Sequence, residues 1–226
     1  KMVSEKLIQA KAVVGIFPAN AEGDDLILYT SDKRETERLR LHHLRQQVKK
    51  ASDQANLCLS DFVAPVESGK KDFVGAFAVS AGFGVDELVA AYENAHDDYH
   101  AIMVKALADR FAEAAAEYMH AKVRKEIWGY VSGEMLDNDS LIKEKYVGIR
   151  PAPGYPACPD HTEKEILWSL LDVDNTIGIH LTESMAMYPA ASVSGWYFAH
   201  PESKYFGISE IHEDQLTDYC ARKNWE

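Results

Sequence analysis

The residues best suited to chemistry lie on one stretch, Arg150-Pro-Ala-Pro-Gly-Tyr-Pro-Ala-Cys-Pro-Asp-His161. The Arg150 guanidinium is a planar fork of donors that suits a carboxylate. Gly154 has no side chain to keep a ligand away from the backbone, and Tyr155 adds an aromatic ring. Four of the chain's eight prolines fall between positions 151 and 159. Each fixes φ and removes an N–H, so the stretch reads as a stiff, extended, polyproline-like ribbon. A ribbon that has already lost conformational freedom is suited to clamp a ligand. The same composition also serves as a plain turn between two elements.

Other constellations are less specific. His96 and His100 stand four apart with acids between them, a spacing that on one helix face suits a metal, though a solvated helix face accounts for it equally. Cys158 and His161 stand three apart, but structural zinc needs four ligands and no second pair lies nearby. Gly82-Phe-Gly84 lacks the third glycine of a dinucleotide fingerprint and reads as a turn opening a helix, with Asp86 and Glu87 on its dipole. No G-x-S-x-G and no Walker motif occurs.

The elements that must position these residues follow from periodicity. Residues 4–11 read as the end of a short helix. Strands are expected at 12–18 and 25–30, joined as a hairpin, at 35–41, 58–63, 72–80 and 179–182, and at 190–200 with 205–211 as its hairpin partner. His42 to Ala51 is basic and reads as a solvated helix or loop. Asp86 to about Ile127 contains neither proline nor glycine and repeats apolar residues at helical spacing, which predicts one very long helix of about 60 Å. Part of it is expected at a partner surface, and Ala112 to Ala116 allow close approach of another backbone. Trp128-Gly-Tyr130 ends it. Short helices are expected at 140–146, at 162–171 behind a partial capping box, and at 215–223.

At 226 residues, 46% hydrophobic and 27% charged, the chain reads as one globular domain with no internal repeat or linker. A net charge of −12 argues against nucleic acid, whose phosphates need a basic footprint. No apolar run approaches the roughly 18–20 residues of a membrane span. Three scattered cysteines make no disulfide framework, so a reducing cytoplasm is the simpler setting. The start at Lys1-Met2 reads as a cut from a longer chain.

The ribbon with Thr162-Glu-Lys164 resembles the C-terminal activation domain of cobalamin-dependent methionine synthase. So do Thr182-Glu-Ser184, Ser192-Val-Ser-Gly-Trp-Tyr-Phe198, His200-Pro-Glu-Ser-Lys-Tyr205, Val14-Gly-Ile-Phe-Pro-Ala-Asn20, His42-His-Leu-Arg-Gln-Gln47, Asp61-Phe-Val-Ala-Pro65 and His96-Asp-Asp98. The likeness spans nearly the whole chain. It implies an α+β fold, a twisted, largely antiparallel sheet with surrounding helices, as a single domain over 1–226 that lacks the family's N-terminal segment. It also implies repair of an enzyme in methionine biosynthesis. S-adenosylmethionine is brought to the corrin of a separate cobalamin-binding domain, where cob(I)alamin has oxidised to cob(II)alamin. A flavodoxin-like donor supplies one electron, and methylcobalamin is regenerated. Zinc belongs to the family's other modules.

The resemblance covers Arg150, Tyr205 and Phe206 directly; from their chemistry Arg150 is expected to grip the ligand carboxylate and Glu113, from the long helix, to take its ammonium. The Ala152 and Tyr155 amides, left free among the prolines, are expected to hold the adenine edge, beside Gly154. Tyr205 lies near the sulfonium, where a cation over an aromatic face gains about 0.5–2 kcal/mol, and Phe206 adjoins it. No protein base is required, because cobalt is the nucleophile, so no catalytic dyad and no metal ligand is expected. Two other readings stay open: a non-catalytic module that senses S-adenosylmethionine or docks a corrinoid protein, and a metal hydrolase built on His96, His100, Cys158 or His161.

Overall fold

β1 (Gln9–Glu22), β2 (Asp25–Tyr29) and β3 (Glu37–His42) form a meander, and β4 (Asp72–Phe83) pairs with the free side of β1. This is a computed structural model, and it describes residues 5, 7–51 and 53–225. After β5 (His180–Leu181) and β6 (Met187–Tyr188), a small separate pair, β7 (Ser192–Tyr197) joins β4. The main sheet has the order β3-β2-β1-β4-β7, and every neighbouring pair is antiparallel. The α+β class expected from the sequence is the one observed.

β4 is buried on both faces, and its alternation feeds two cores. Val74, Ala76 and Ala78 join Trp196 and Phe198 on one face, and Phe77 and Val79 join Tyr197 on the other. Helix α1 (Val85–Asn94) starts behind Gly84, and α2 (Asp98–Lys122) continues through a π-type turn to Ile127. The very long helix expected from the sequence is present from Asp98 to Ile127, and the part expected from Asp86 is a separate helix, α1. The break is made by His96, at φ 57°, and by Asp97, whose carboxylate accepts from the His100 amide and caps α2. The alanine stripe Ala101, Ala108, Ala112 and Ala116 is buried and lets α2 pack closely against the sheet and α1.

Four further helices follow: α3 (Asn138–Ile142), α4 (Glu163–Leu171), α5 (Val173–Ile177) and α6 (Glu213–Arg222). Several expectations are corrected. Residues 9–11 belong to β1, and the rest of the short helix expected there lies partly outside the described residues. The strand expected at 58–63 is a 3₁₀ turn (Leu59–Phe62), held as Asp61 accepts from the Cys58 amide. The helix expected at 140–146 is α3, which starts earlier because Asp137 caps it. Thr162 caps nothing with its side chain and donates instead to Asp160. His42 to Ala51 is a loop after β3, exposed at Lys49 and Ala51, but its first half is not solvated surface. His43 and Leu44 are buried, and Arg45 bridges Asp24 at 2.6 Å and Asp61 at 2.7 Å.

Candidate functional site

The ribbon begins by pairing, through one antiparallel bridge, with the free edge of the chain at β7. Ile149 and Phe198 exchange both backbone hydrogen bonds at 3.0 Å, and the Trp196 amide donates to the Pro151 carbonyl at 2.9 Å. A Cβ on Gly195 would stand 2.6 Å from that carbonyl, so only glycine admits the crossing. Beyond Pro151 the prolines cannot continue the ladder and the ribbon peels away. A cleft of about 390 Å³ opens between ribbon and edge.

The edge taken by the ribbon is the one the segment 205–211 would have needed. That segment is consequently not a strand, and the hairpin expected there is corrected. It crosses the ribbon instead: the Ile208 amide donates to the Pro156 carbonyl, and the Gln46 side chain donates to the Gly207 carbonyl. Tyr205 and Phe206 are thereby delivered to the cleft, with Phe206 packed on Phe62.

Arg150 is the most constrained of the cleft residues. Its Nη1 donates to His120 Nδ1 and to the Tyr146 hydroxyl, each at 3.1 Å, and its Nη2 meets Glu117 at 2.7 Å. Its backbone amide donates to the Tyr205 hydroxyl. Burial pulls its pKa down, but Tyr146 and Glu117 outweigh burial and hold it above the ordinary range. Among the described residues Nε–H and one Nη2 N–H stay unclaimed, the number a bidentate carboxylate contact takes. Glu113 lies one turn before Glu117 on α2 and lines the same cleft. His120 is driven down to about pH 2 by burial, then by Arg124 and Arg150, so it is neutral; accepting at Nδ1 places its proton on Nε2.

The ribbon's own groups divide. Ala152, Pro153 and Tyr155 line the cleft. The Tyr155 amide is not free as expected, since it closes a turn onto the Ala152 carbonyl at 3.1 Å. Gly154 does not line the cleft. It sits at φ +90°, and its open side is filled by the His161 ring, which a Cβ would meet at 2.2 Å. Its close approach is to a histidine of the same chain.

The sequence reading missed Ser192, Ser194 and Lys164, all of which line the cleft. By the alternation of a strand, the amide and carbonyl of Ser194 face the same side as those of Trp196, toward the cleft. The signal was the position of Ser192–Tyr197 as an edge strand beside a proline-rich neighbour. The metal constellations do not assemble. His96 lies in the helix break, so it shares no helix face with His100, which pairs with Asp97 at 2.7 Å. Among the described residues no group of three or more His, Cys, Asp or Glu is arranged to hold a metal, and no helix is long and apolar enough to cross a membrane.

The family model of the vitamin B12 dependent methionine synthase activation domain matches residues 1–224. This chain belongs to that family. The activation domain is also similar to a solved structure, the MetH reactivation domain bound to AdoHcy. Sequence identity is 56% and the TM-score 0.97, over all of this chain and 69% of the other. The ribbon, cleft and five-stranded sheet described above are thus those of an activation domain from a methyltransferase.

Proposed function

We propose that this activation domain binds S-adenosylmethionine in the cleft between ribbon and β7 and presents its methyl group to the cobalamin of a separate domain. The observation that carries the reading is the convergence of Arg150, Glu113 and Tyr205 on one cleft, in a chain similar to a domain that binds AdoHcy. The volume lies within the roughly 300–1,000 Å³ of small-molecule sites. The two unclaimed Arg150 donors suit the ligand carboxylate, and Glu113 suits its ammonium. The Tyr205 ring accepts a sulfonium near its face. The Ala152 amide and the edge groups of Ser194 offer donors and an acceptor to the nucleoside.

The cobalt of cobalamin supplies the nucleophile, and a flavodoxin-like donor the electron that oxidised cobalamin needs. The residues of this chain bind, orient and shield; they transfer no proton. Calorimetry with S-adenosylmethionine tests the site. Arg150→Ala should weaken binding at least about tenfold with the fold retained by circular dichroism. Unchanged affinity refutes the role of Arg150. With a cobalamin-binding domain, a reductant and methyl-labelled S-adenosylmethionine added, label should reach the corrinoid; failure with binding intact leaves a sensing or docking module.

A further inference from the structure

Lys164 has an environment that folding alone does not explain. It is only 7% exposed and lies in the first turn of α4, where the helix dipole disfavours a cation. Among the described residues no carboxylate lies within ion-pair distance of it. Its neighbour Glu163 faces the other way, to Lys223 at 2.9 Å, and Glu165 is exposed. A buried ammonium with no counter-charge is costly, and in a chain with 36 acidic residues a partner would be easy to supply. Two of its three N–H groups are accounted for: one donates to the Met185 carbonyl at 2.8 Å and one to His161 Nδ1 at 3.1 Å. The third is unclaimed among the described residues, and Lys164 lines the cleft together with His161, Met187 and Ser192.

The inference rests on the proposed binding of S-adenosylmethionine. If Arg150 and Glu113 hold the amino-acid end, the group left for Lys164 is the nucleoside. An ammonium is a donor only, so it takes an acceptor on that nucleoside. A ribose hydroxyl both donates and accepts, and the edge carbonyls of β7 are placed to take its proton. The ring nitrogens of adenine are pure acceptors. We propose that Lys164 is a specificity residue of this cleft, donating its third N–H to a ring nitrogen of the adenine, with the Met185 carbonyl and His161 as the brackets that aim it.

Calorimetry with S-adenosylhomocysteine and its 1-deaza, 3-deaza and 7-deaza analogues tests this, since each analogue replaces one ring nitrogen by C–H. One of the three should bind the wild-type domain about tenfold or more weakly than the parent ligand. Lys164→Met should weaken the parent ligand by a similar factor and abolish that analogue's penalty. If no analogue loses affinity for the wild-type protein, the assignment is overturned with no variant needed. It is also overturned if Lys164→Met binds the parent ligand normally, or if the penalty survives in the variant. Binding of the parent ligand that Arg150→Ala weakens and Lys164→Met does not would overturn this inference and leave the proposed function standing. No binding to the wild-type protein overturns both.

Discussion

The Arg150 amide donates to the Tyr205 hydroxyl at 3.0 Å, across 55 residues of sequence. The bond ties the start of the ribbon to the segment that crosses it, so the guanidinium and the aromatic ring are set relative to one another before a ligand arrives. Tyr205→Phe keeps the ring and removes the acceptor. S-adenosylhomocysteine affinity should fall about two- to tenfold, the range of one hydrogen bond. The melting temperature should move little, because the site is partly exposed. Equal affinities by calorimetry would show that the bond positions nothing.

Gly154 carries two constraints at once, a left-handed φ of +90° and the His161 ring against its open side. Gly154→Ala should destabilise by about 1–3 kcal/mol from backbone strain alone, and further from the clash. Adding His161→Ala removes the clash but not the strain. Urea unfolding of the double variant should therefore recover part of the loss. Full recovery, or no loss in the single variant, would contradict the geometry.

The far end of the ribbon is held by α6. Lys223 contacts Asp160 and Glu163, Tyr219 donates to Asp160 at 2.7 Å, and Glu163 is completely buried. Burial raises the Glu163 pKa, partly offset by Lys223. Lys223→Met leaves both carboxylates unpaired and should cost about 3–5 kcal/mol at pH 8. The deficit should shrink as pH falls toward 5, because a protonated Glu163 needs no partner. A deficit independent of pH, measured by urea unfolding, would mean that Glu163 is not the group Lys223 neutralises.

The sheet was legible because its strands alternate or run apolar, as in Asp72 to Ser80, and the ribbon because four prolines exclude regular structure. The break at His96 was not. Neither glycine nor proline marks it, and it rests on an Asp97 cap that reads like any other acid in an acidic helix. His42 to Gln47 looked like surface because its charges and amides suggest water. In the fold those groups meet Asp24, Asp61, Gly207 and Asp214. Arg150, Tyr205 and Glu113 were readable as types, but Glu117, His120 and Tyr146, which aim Arg150, come from distant segments that only tertiary packing brings together.

His43 lies against the Phe198 ring at 6.4 Å, is 2% exposed, and has no hydrogen-bond partner on either ring nitrogen among the described residues. Burial pushes its pKa down to about 3. In the unfolded chain a histidine takes up its proton near pH 6.5. Between those values unfolding binds a proton, so the stability His43 contributes is present above pH 6.5 and is lost as pH falls toward 3. The rate of loss is about 1.4 kcal/mol per pH unit. His120, pushed down to about 2, adds a second proton of the same sign. Asp25 and Asp160 are also lowered, but they act only as pH approaches their ordinary value near 3.8, so over pH 6 to 4.5 the two histidines set the fall, and Glu163, raised by burial above its ordinary value near 4.5, opposes it. His43→Phe fills the site with an apolar ring and should be near neutral at pH 7.5, since it leaves no partner unpaired. Over pH 6 to 4.5 its stability from urea unfolding should fall less steeply than that of the wild-type protein, by about 1.4 kcal/mol per pH unit. An unchanged slope would mean that His43 takes up its proton in the folded state and that water reaches its ring.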